Sequence, residues 1–218
     1  MIMTVIVTAF AAYLIGSINF AVIFAKAFLK KDVRDMGSGN AGTTNVMRNA
    51  GFLPGALTFV CDVLKGFLAC YMGQYVFEYI NSQLHTDLSY PAVGAYLCGL
   101  ACMVGHVFPF FFDFKGGKGV ATSVGIFIVC CPWAMVIGLS TWGITLLISK
   151  YVSLGSVFGA VAVVLSAIII TLSDAAVPVI WPQIILSLAM GTLVIVKHKS
   201  NIERLMAGTE SKVKLGGK

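Results

Sequence analysis

Apolar residues form runs along most of the chain, and short polar connections separate these runs. Five apolar runs are each interpreted as one membrane-spanning helix, which needs roughly 20 residues, and they cover residues 2–24, 52–80, 91–112, 154–172 and 181–196. A further apolar block, residues 120–149, is long for one span and short for two. Because proline interrupts helices, Pro132 is expected to divide this block into two helices, the first of them short. The pattern predicts an all-α, polytopic membrane protein.

The basic residues in the connections indicate how often the chain crosses the membrane, because Lys and Arg favour the cytoplasmic side. They follow the first run, the third run, the long block and the last run, whereas residues 81–90 and 173–179 contain Asp87 and Asp174 and no basic residue. If the long block crosses twice, all basic connections lie on one side and both acidic connections on the other. We therefore predict seven transmembrane helices, with the N-terminus outside, the C-terminus cytoplasmic and the first run retained rather than cleaved.

The composition agrees with this topology. The sequence is 58% hydrophobic and only 11% charged, whereas a soluble domain carries about a quarter charged residues. No polar stretch is long enough for a second domain, so residues 1–218 are predicted to form a single integral membrane domain. The net charge of +6 reflects the topological signal and attraction to anionic lipids, and no nucleic acid partner is expected. The six cysteines lie in or beside apolar runs and are interpreted as small core residues.

Three polar segments on the predicted cytoplasmic face contain the residues best suited to bind an anion. The first is DMGSGNAGTTNVMRNAG, residues 35–51. Its glycines permit turns that point backbone N–H groups inwards, as in an anion nest, and Arg48 adds positive charge. Its neutral hydrogen-bonding side chains are Ser38, Asn40, Thr43, Thr44 and Asn45. The alternative is a flexible connection between helices.

The second segment is GHVFPFFFDFKGGKGVAT, residues 105–122, and it has the composition of a phosphate cradle. Lys115 and Lys118 supply positive charge. Gly116 and Gly117 allow the backbone to approach an anion, and the N-terminus of the next helix favours negative charge. The order of residues is not that of a Walker A loop. The alternatives are lysines that extend to the lipid interface and, for His106, a hydrogen-bonded core residue.

The third segment is KHKSNIERLMAGTESK, residues 197–212, which follows the last apolar run. His198 and Asn201 are three residues apart and would share one face of a helix, with Arg204 three residues further on. The alternative is an amphipathic tail on the lipid surface after Leu205.

Two smaller polar features accompany these segments. The sequence YVSLGS, residues 151–156, places Ser153 and Ser156 just after Lys150. Asp62 and Lys65 lie three residues apart within the second apolar run. Because charged groups inside a membrane helix are costly, this pair is either functional or a structural link, and the sequence leaves both open.

Together the polar segments resemble the bacterial acyl-phosphate:glycerol-3-phosphate acyltransferase family of integral membrane enzymes. The resemblance rests on GSGNAGTTN (residues 37–45), GHVFPFFFDFKGGKGVAT and HKSNIERLMAGTE (residues 198–210), with YVSLGS and FVCDVLKG (residues 59–66) in the expected places. It implies a seven-helix fold in the bacterial inner membrane, with a cytoplasmic active site. It also implies transfer of a fatty acyl group from acyl phosphate to the 1-hydroxyl of sn-glycerol 3-phosphate. The products would be lysophosphatidic acid and phosphate, in the first step of phospholipid synthesis.

The resemblance further implies which residues form the site. The expected catalytic residues are His198, Lys115 and Ser153, and the expected substrate-binding residues are Ser38, Asn40, Asn45, Arg48, Gly116, Gly117, Lys118 and Asn201. The proton acceptor is either His198 or a substrate phosphate. No cofactor or metal is expected, because the predicted cytoplasmic face lacks a carboxylate cluster. The expected partners are the two substrates, membrane lipids and a separate soluble or peripheral enzyme that supplies acyl phosphate.

Two other functions fit parts of the pattern. A transporter of phosphate esters or other anions could use the same basic, glycine-rich segments. It predicts polar residues near the membrane midplane and an internal repeat; the sequence has no such repeat, and Asp62 and Lys65 are the nearest midplane candidates. A membrane alcohol phosphotransferase would need paired aspartates to hold a metal ion, and these are missing from the polar segments.

Overall fold

The computed structural model describes residues 2–84, 91–173 and 180–213. Within these residues the chain is helical and contains no β-strand, which confirms the predicted all-α class. The helices are α1 (Ile2–Gly16), α2 (Phe20–Leu29), α3 (Thr43–Ala50), α4 (Phe52–Leu84), α5 (Pro91–Val107), α6 (Val120–Cys130), α7 (Pro132–Ser149), α8 (Val152–Ser173), α9 (Ile180–Lys197) and α10 (Lys199–Met206). Two short 3-10 turns cover Val33–Asp35 and Phe110–Phe112. The acidic residues Asp87 and Asp174 lie outside the described residues.

Six helical segments of the described chain are long and apolar enough to cross a membrane. They are Ile2–Leu29, Phe52–Gln83, Pro91–Phe112, Pro132–Ser149, Val152–Ser173 and Ile180–Lys197. Helix α6 is apolar but has 11 residues, so it extends about 16 Å, roughly half the thickness of a bilayer core. Pro132 divides the long apolar block as predicted, because α6 ends just before it and α7 begins at it. The seventh crossing and the orientation of the termini stay predictions.

The first apolar run is broken into two helices, which the sequence pattern did not predict. Between α1 and α2, the side chain of Asn19 caps the second helix by accepting a hydrogen bond from the Val22 amide at 3.2 Å. Helix α2 then continues to Leu29, beyond the predicted end of the run at residue 24. The break exposes the carbonyl of Ile18 to other partners, and Lys65 donates a hydrogen bond to it.

The helices group into two compact units, Met1–Cys130 and Cys131–Lys218. In the first unit, Gly73 of α4 lies so close to Gly94 of α5 that an added Cβ would collide with its backbone. In the second unit, Gly138 of α7 lies equally close to α8. Small residues permit such close contacts in membranes, where van der Waals packing rather than the hydrophobic effect joins helices. The single-domain assignment stays a prediction.

The six cysteines are free thiols. Four of them are buried, namely Cys70, Cys98, Cys102 and Cys131. Their burial confirms the interpretation of these four as core residues, whereas Cys61 and Cys130 are only partly buried.

Candidate active site

The first polar segment folds around the side chain of Asn45, near the start of α3. Its Nδ2 atom lies within hydrogen-bond distance of three backbone carbonyls, those of Val33 (3.0 Å), Met36 (2.9 Å) and Asn40 (3.1 Å), and its two N–H groups donate to them with one N–H shared. Its Oδ1 atom accepts from the Ser38 amide at 3.1 Å. Because Asn45 is only 3% exposed, its amide group is used within the protein. Asn45 therefore organises the loop, and its predicted contact with substrate stays a prediction.

The same loop needs glycine at two positions. Gly37 and Gly39 have φ values of 56° and 69°, in the left-handed region that glycine adopts without steric cost. The Gly39 amide donates to the Met36 carbonyl at 3.0 Å, so this N–H closes the loop rather than forming an anion nest. The side chains of Ser38 and Arg48 are exposed at the surface of the segment. With half of the segment helical and the rest closed by hydrogen bonds, the segment is not the flexible connection considered as an alternative.

The KGGKG loop needs glycine because it packs tightly against the end of α5. The Gly117 amide donates to the His106 carbonyl at 3.1 Å. An added Cβ would collide with the His106 ring at Gly117 and with the His106 carbonyl at Gly116. The Gly117 amide, predicted to bind phosphate, is therefore bound to His106 in this conformation. Lys115 is exposed and Lys118 half-buried, and both precede the N-terminus of α6 as predicted.

The structure brings the first two polar segments together in the first unit. A Cβ added to Gly117 would lie 2.7 Å from the Ala41 carbonyl, so the two loops are in contact at this glycine. Arg34, which directly precedes the first segment, adds a contact by donating from Nη1 to the Phe112 carbonyl at 2.9 Å. The sequence could not show either contact, because both join residues far apart in the chain.

Asp62, Lys65 and His106 form a buried cluster next to the KGGKG loop. Asp62 Oδ1 lies 2.8 Å from Lys65 Nζ and 3.5 Å from His106 Nδ1, and none of the three side chains is more than 4% exposed. Lys65 Nζ also donates to the Ile18 carbonyl at 2.8 Å. The cluster thus connects α4 to the break between α1 and α2 and to the end of α5, where the His106 carbonyl binds Gly117. This favours the structural link over a direct functional role for Asp62 and Lys65.

In the second unit, Glu210 joins two of the predicted site residues. Its Oε1 atom accepts hydrogen bonds from Ser153 Oγ and Asn201 Nδ2, both at 2.7 Å. Its Oε2 atom accepts from Arg204 Nε, also at 2.7 Å. Glu210 was not among the predicted residues, although it ends the segment HKSNIERLMAGTE. The available signal was a carboxylate in a basic segment, beyond helix-forming residues, which calls for a cationic or hydrogen-bonding partner.

The chain after α10 turns back onto the connection between α7 and α8. The Val213 amide donates to the Lys150 carbonyl at 2.8 Å, and Lys212 Nζ lies 5.4 Å from the centroid of the Tyr151 ring. With Glu210 bound to Ser153, these contacts hold residues 207–213 against the protein. For residues 207–213, these contacts favour packing against the protein over the alternative of an amphipathic tail on the lipid surface.

His198 lies at the junction of α9 and α10 and is only 3% exposed. Its Nδ1 atom is 2.8 Å from the Val194 carbonyl, an acceptor that requires a proton on Nδ1. In the neutral imidazole, Nε2 then carries the lone pair. The ring is therefore oriented and in the tautomer that a proton acceptor needs at Nε2.

Glu210 is negatively charged at neutral pH. Burial by itself would raise the pKa of its carboxyl group. The hydrogen bonds from Ser153, Asn201 and Arg204, together with the charge of Arg204, outweigh burial and hold the pKa below its ordinary value of 4.5. The carboxylate can therefore orient the Ser153 hydroxyl and the Asn201 amide.

We expect Glu210→Gln to lower the midpoint of thermal unfolding at neutral pH, because glutamine cannot accept all three hydrogen bonds. Since folding lowers the pKa of Glu210, its carboxylate stabilises the fold fully above pH 4.5 and loses this effect as the pH falls through the lowered folded-state value. The difference between wild type and variant should therefore shrink in acid. Unfolding of both proteins in detergent between about pH 7 and about pH 3 checks this, and a difference independent of pH would contradict it.

The sequence that forms these loops is similar to known proteins. A family model described as glycerol-3-phosphate acyltransferase matches residues 6–208. The chain belongs to this acyltransferase family. A glycerol-3-phosphate acyltransferase of Thermoanaerobacter sp. (strain X514) is 42% identical over 97% of this chain and 96% of the relative. Glycerol-3-phosphate acyltransferase 2 of Bacillus anthracis is 39% identical over 95% of this chain and 98% of the relative.

The likeness extends to the fold. A crystal structure of PlsY, an integral membrane glycerol 3-phosphate acyltransferase, in its glycerol 3-phosphate form has a TM-score of 0.81 at 32% identity and covers 96% of both chains. As an acyltransferase of this family, the protein is an integral membrane enzyme that acylates glycerol 3-phosphate. This favours the enzyme over the anion transporter and the alcohol phosphotransferase. Among the described residues of the acyltransferase, no group of three or more His, Cys, Asp or Glu side chains is placed to hold a metal ion.

Proposed function

We propose that the enzyme transfers a fatty acyl group from acyl phosphate to the 1-hydroxyl of sn-glycerol 3-phosphate, giving 1-acylglycerol 3-phosphate and phosphate. This would be the first step of phospholipid synthesis. The observation that carries the acceptor and the product is the likeness to PlsY, whose crystal structures are described as a glycerol 3-phosphate form and a lysophosphatidic acid form. The second of these has a TM-score of 0.78 at 32% identity.

As the acyl donor, acyl phosphate suits the residues of the proposed site. It is a mixed anhydride whose leaving group is phosphate, so attack by a hydroxyl needs positioning and charge stabilisation more than covalent catalysis. Ser153, the serine among the predicted catalytic residues, donates to the carboxylate of Glu210 at 2.7 Å. A nucleophilic serine would need a base strong enough to remove its proton, and the carboxylate of Glu210, whose pKa lies below 4.5, is a weak base. We therefore propose direct transfer without an acyl-enzyme intermediate.

Both substrates carry phosphate, so the site needs several anion-binding groups. Lys115 and Arg48 supply positive charge from exposed positions in the first unit. The proposed neutral hydrogen-bonding groups are Ser38, Asn40, Ser153 and Asn201, with Asn45, Lys118 and the backbone of Gly116 and Gly117 as further contacts. For Gly117 this requires that its amide leave the His106 carbonyl.

The reaction moves one proton and exchanges one bond. The 1-hydroxyl oxygen of glycerol 3-phosphate bonds to the acyl carbon, and the bond from that carbon to the phosphate oxygen breaks. The hydroxyl proton passes to one of two acceptors, His198 Nε2 or a substrate phosphate. The hydrogen bond of His198 Nδ1 to Val194 supports His198, because it leaves the lone pair on Nε2.

We propose that the chain crosses the bacterial inner membrane seven times, with the N-terminus outside and the C-terminus and active site facing the cytoplasm. The short helix α6 would be the seventh crossing. The distribution of basic and acidic connections supports this orientation. The acyl chain would lie between helices within the bilayer, and a separate soluble or peripheral enzyme would supply the acyl phosphate from the cytoplasm.

We expect the purified enzyme in lipid to form lysophosphatidic acid and phosphate from glycerol 3-phosphate and acyl phosphate, and no product from acyl-CoA. The reason is that acyl phosphate is an activated anhydride whose phosphate the site can bind, so the reaction needs no nucleophilic residue of the enzyme. Product analysis and phosphate release, measured in parallel with each donor, check this.

Two other results would contradict the proposed donor or the proposed reaction. Product from acyl-CoA alone would keep the acyltransferase and overturn the donor. No product from either donor, with the protein shown to be folded, would contradict the proposed reaction and return attention to transport of phosphate esters, which a flux assay in vesicles measures.

A further inference from the structure

The turn that carries Lys115 is bound by Arg34, the residue just before the first polar segment. Arg34 Nη1 donates a hydrogen bond to the Phe112 carbonyl at 2.9 Å, and the Lys115 amide donates to the same carbonyl at 3.1 Å. The guanidinium carbon of Arg34 also lies 6.0 Å from the centroid of the Phe112 ring. A single carbonyl oxygen therefore connects Arg34 to the backbone of Lys115.

Arg34 is itself held in one orientation by Asp32. Its Nε and Nη2 atoms donate to the two carboxylate oxygens of Asp32 at 3.0 and 2.9 Å, which is the bidentate geometry that fixes a guanidinium plane. The two side chains are only 22% and 14% exposed. The hydrogen bond from Arg34 holds the pKa of Asp32 below its ordinary value of 3.8, so the pair is charged at neutral pH. Lys26 adds a third charge at 3.6 Å from Asp32.

The Phe112–Lys115 turn has an unfavourable backbone conformation that contacts with other residues must stabilise. Asp113 and Phe114 have φ values of 55° and 58°, and left-handed backbone is unfavourable for residues with a side chain. Such conformations persist where the surrounding structure imposes them. Within the turn, the amides of Phe112 and Phe114 both donate to the Pro109 carbonyl, at 3.1 and 3.0 Å. Arg34 adds a contact from outside the turn, and Phe112 packs against the apolar cluster that includes Val33.

We propose that Arg34 is a positioning residue that holds the Phe112–Lys115 turn and so directs Lys115 towards its substrate phosphate. It acts through the Phe112 carbonyl and touches neither substrate. In the sequence, Arg34 is one of the basic residues that follow the first apolar run, whereas the structure places it between the two loops that supply Lys115, Ser38 and Arg48. The proposal rests on the proposed function, in which Lys115 binds phosphate.

The first part of the test needs no enzymatic activity. Hydrogen–deuterium exchange of the amides of residues 112–117 is measured in detergent for wild type, Arg34→Gln and Lys31→Gln. Lys31 is the matched control, since it is an exposed basic residue close by in the sequence. We expect exchange of these amides to rise by about tenfold in Arg34→Gln, because the hydrogen bond that fixes the Phe112 carbonyl is lost. In Arg34→Gln we also expect faster exchange around Asp32, whose bidentate pair with Arg34 is lost. We expect no change in Lys31→Gln or in the second unit.

The second part measures kcat and KM for acyl phosphate and glycerol 3-phosphate in the same proteins. We expect kcat/KM to fall by about 10- to 100-fold in Arg34→Gln, since a small displacement of a substrate-binding group has effects of this size. Lys31→Gln should match wild type. Arg34→Lys should recover part of the loss, because an ammonium can donate to the Phe112 carbonyl but cannot bind both oxygens of Asp32. A merely structural role would not give this rescue at an unchanged unfolding midpoint.

Faster exchange at residues 112–117 that goes beyond the change around Asp32, a lower kcat/KM and partial rescue by lysine together support the proposal. Unchanged exchange overturns it, and so does faster exchange with wild-type kcat/KM. If Arg34→Gln does not fold, Asp32→Asn serves instead, since it keeps Arg34 but weakens the pair that orients it, and the same outcomes apply. A wild-type enzyme that makes no product from any donor would refute the proposed function, while the exchange result would still decide whether Arg34 holds the turn.

Discussion

Replacing Lys115 with alanine is expected to remove nearly all activity while the protein stays folded and inserted. The side chain is exposed in the KGGKG loop just before α6, and under the proposed function it is a cation that meets a substrate phosphate. Loss of one preorganised charge-stabilising group costs about 10²- to 10³-fold in rate. Because the side chain is exposed, the substitution should change the free energy of unfolding by no more than about 0.5 kcal/mol. The measurement is kcat/KM with acyl phosphate, together with the unfolding midpoint.

Two variants make this result specific. Lys31→Ala removes an exposed charge elsewhere in the first unit and should leave kcat/KM unchanged. Lys115→Arg keeps the charge and should retain more activity than alanine does, although its planar guanidinium places that charge differently. Full turnover in Lys115→Ala would show that the loop does not bind phosphate through this lysine.

Replacing Lys65 with methionine should strongly destabilise the first unit. Lys65 Nζ is 2.8 Å from the Asp62 carboxylate and donates to the Ile18 carbonyl. Removing it leaves the buried Asp62 charge without its ammonium partner, and breaking a buried pair in this way costs about 3–5 kcal/mol. Thermal or denaturant unfolding in detergent should show a large loss relative to wild type.

The double variant Asp62→Asn with Lys65→Met is the control for this prediction. It removes both charges at once, so no ionised group is left alone in the interior, and most of the lost stability should return. A Lys65→Met protein as stable as wild type would contradict the assignment of the pair as the link between α4 and the α1–α2 break. A double variant no more stable than Lys65→Met would show that the Ile18 contact, rather than the ion pair, matters.

Local features of the sequence predicted local structure well. Pro132 separates α6 from α7 because proline lacks the N–H that a continuous helix would need there. The break between α1 and α2 was missed, because the residues that end α1 are set in an otherwise apolar run and only Asn19 gives a capping signal. The need for glycine in KGGKG was predicted, but for a different reason. They were expected to approach phosphate, and the structure shows that Gly117 must also fit against the His106 ring.

The contacts that the sequence could not reveal join residues far apart in the chain. Glu210 binds Ser153, 57 residues away in the sequence, and Arg34 binds the carbonyl of Phe112, 78 residues away. The amide of Asn45, which is predicted to contact substrate, bonds to the backbone of its own loop. A pattern of residue types shows which groups can bind an anion, but not which of them are already bound within the protein.

The sequence by itself determined the membrane class, the helical architecture, the family and the polar segments in which its site residues lie. These follow from hydropathy, charge placement and motif order, which are properties of neighbouring residues and need no knowledge of packing. Only the tertiary structure decided which polar side chains hold the loops and which are presented outwards. That division depends on distances between helices and loops, because a buried donor or acceptor binds whichever partner the fold brings within about 3 Å.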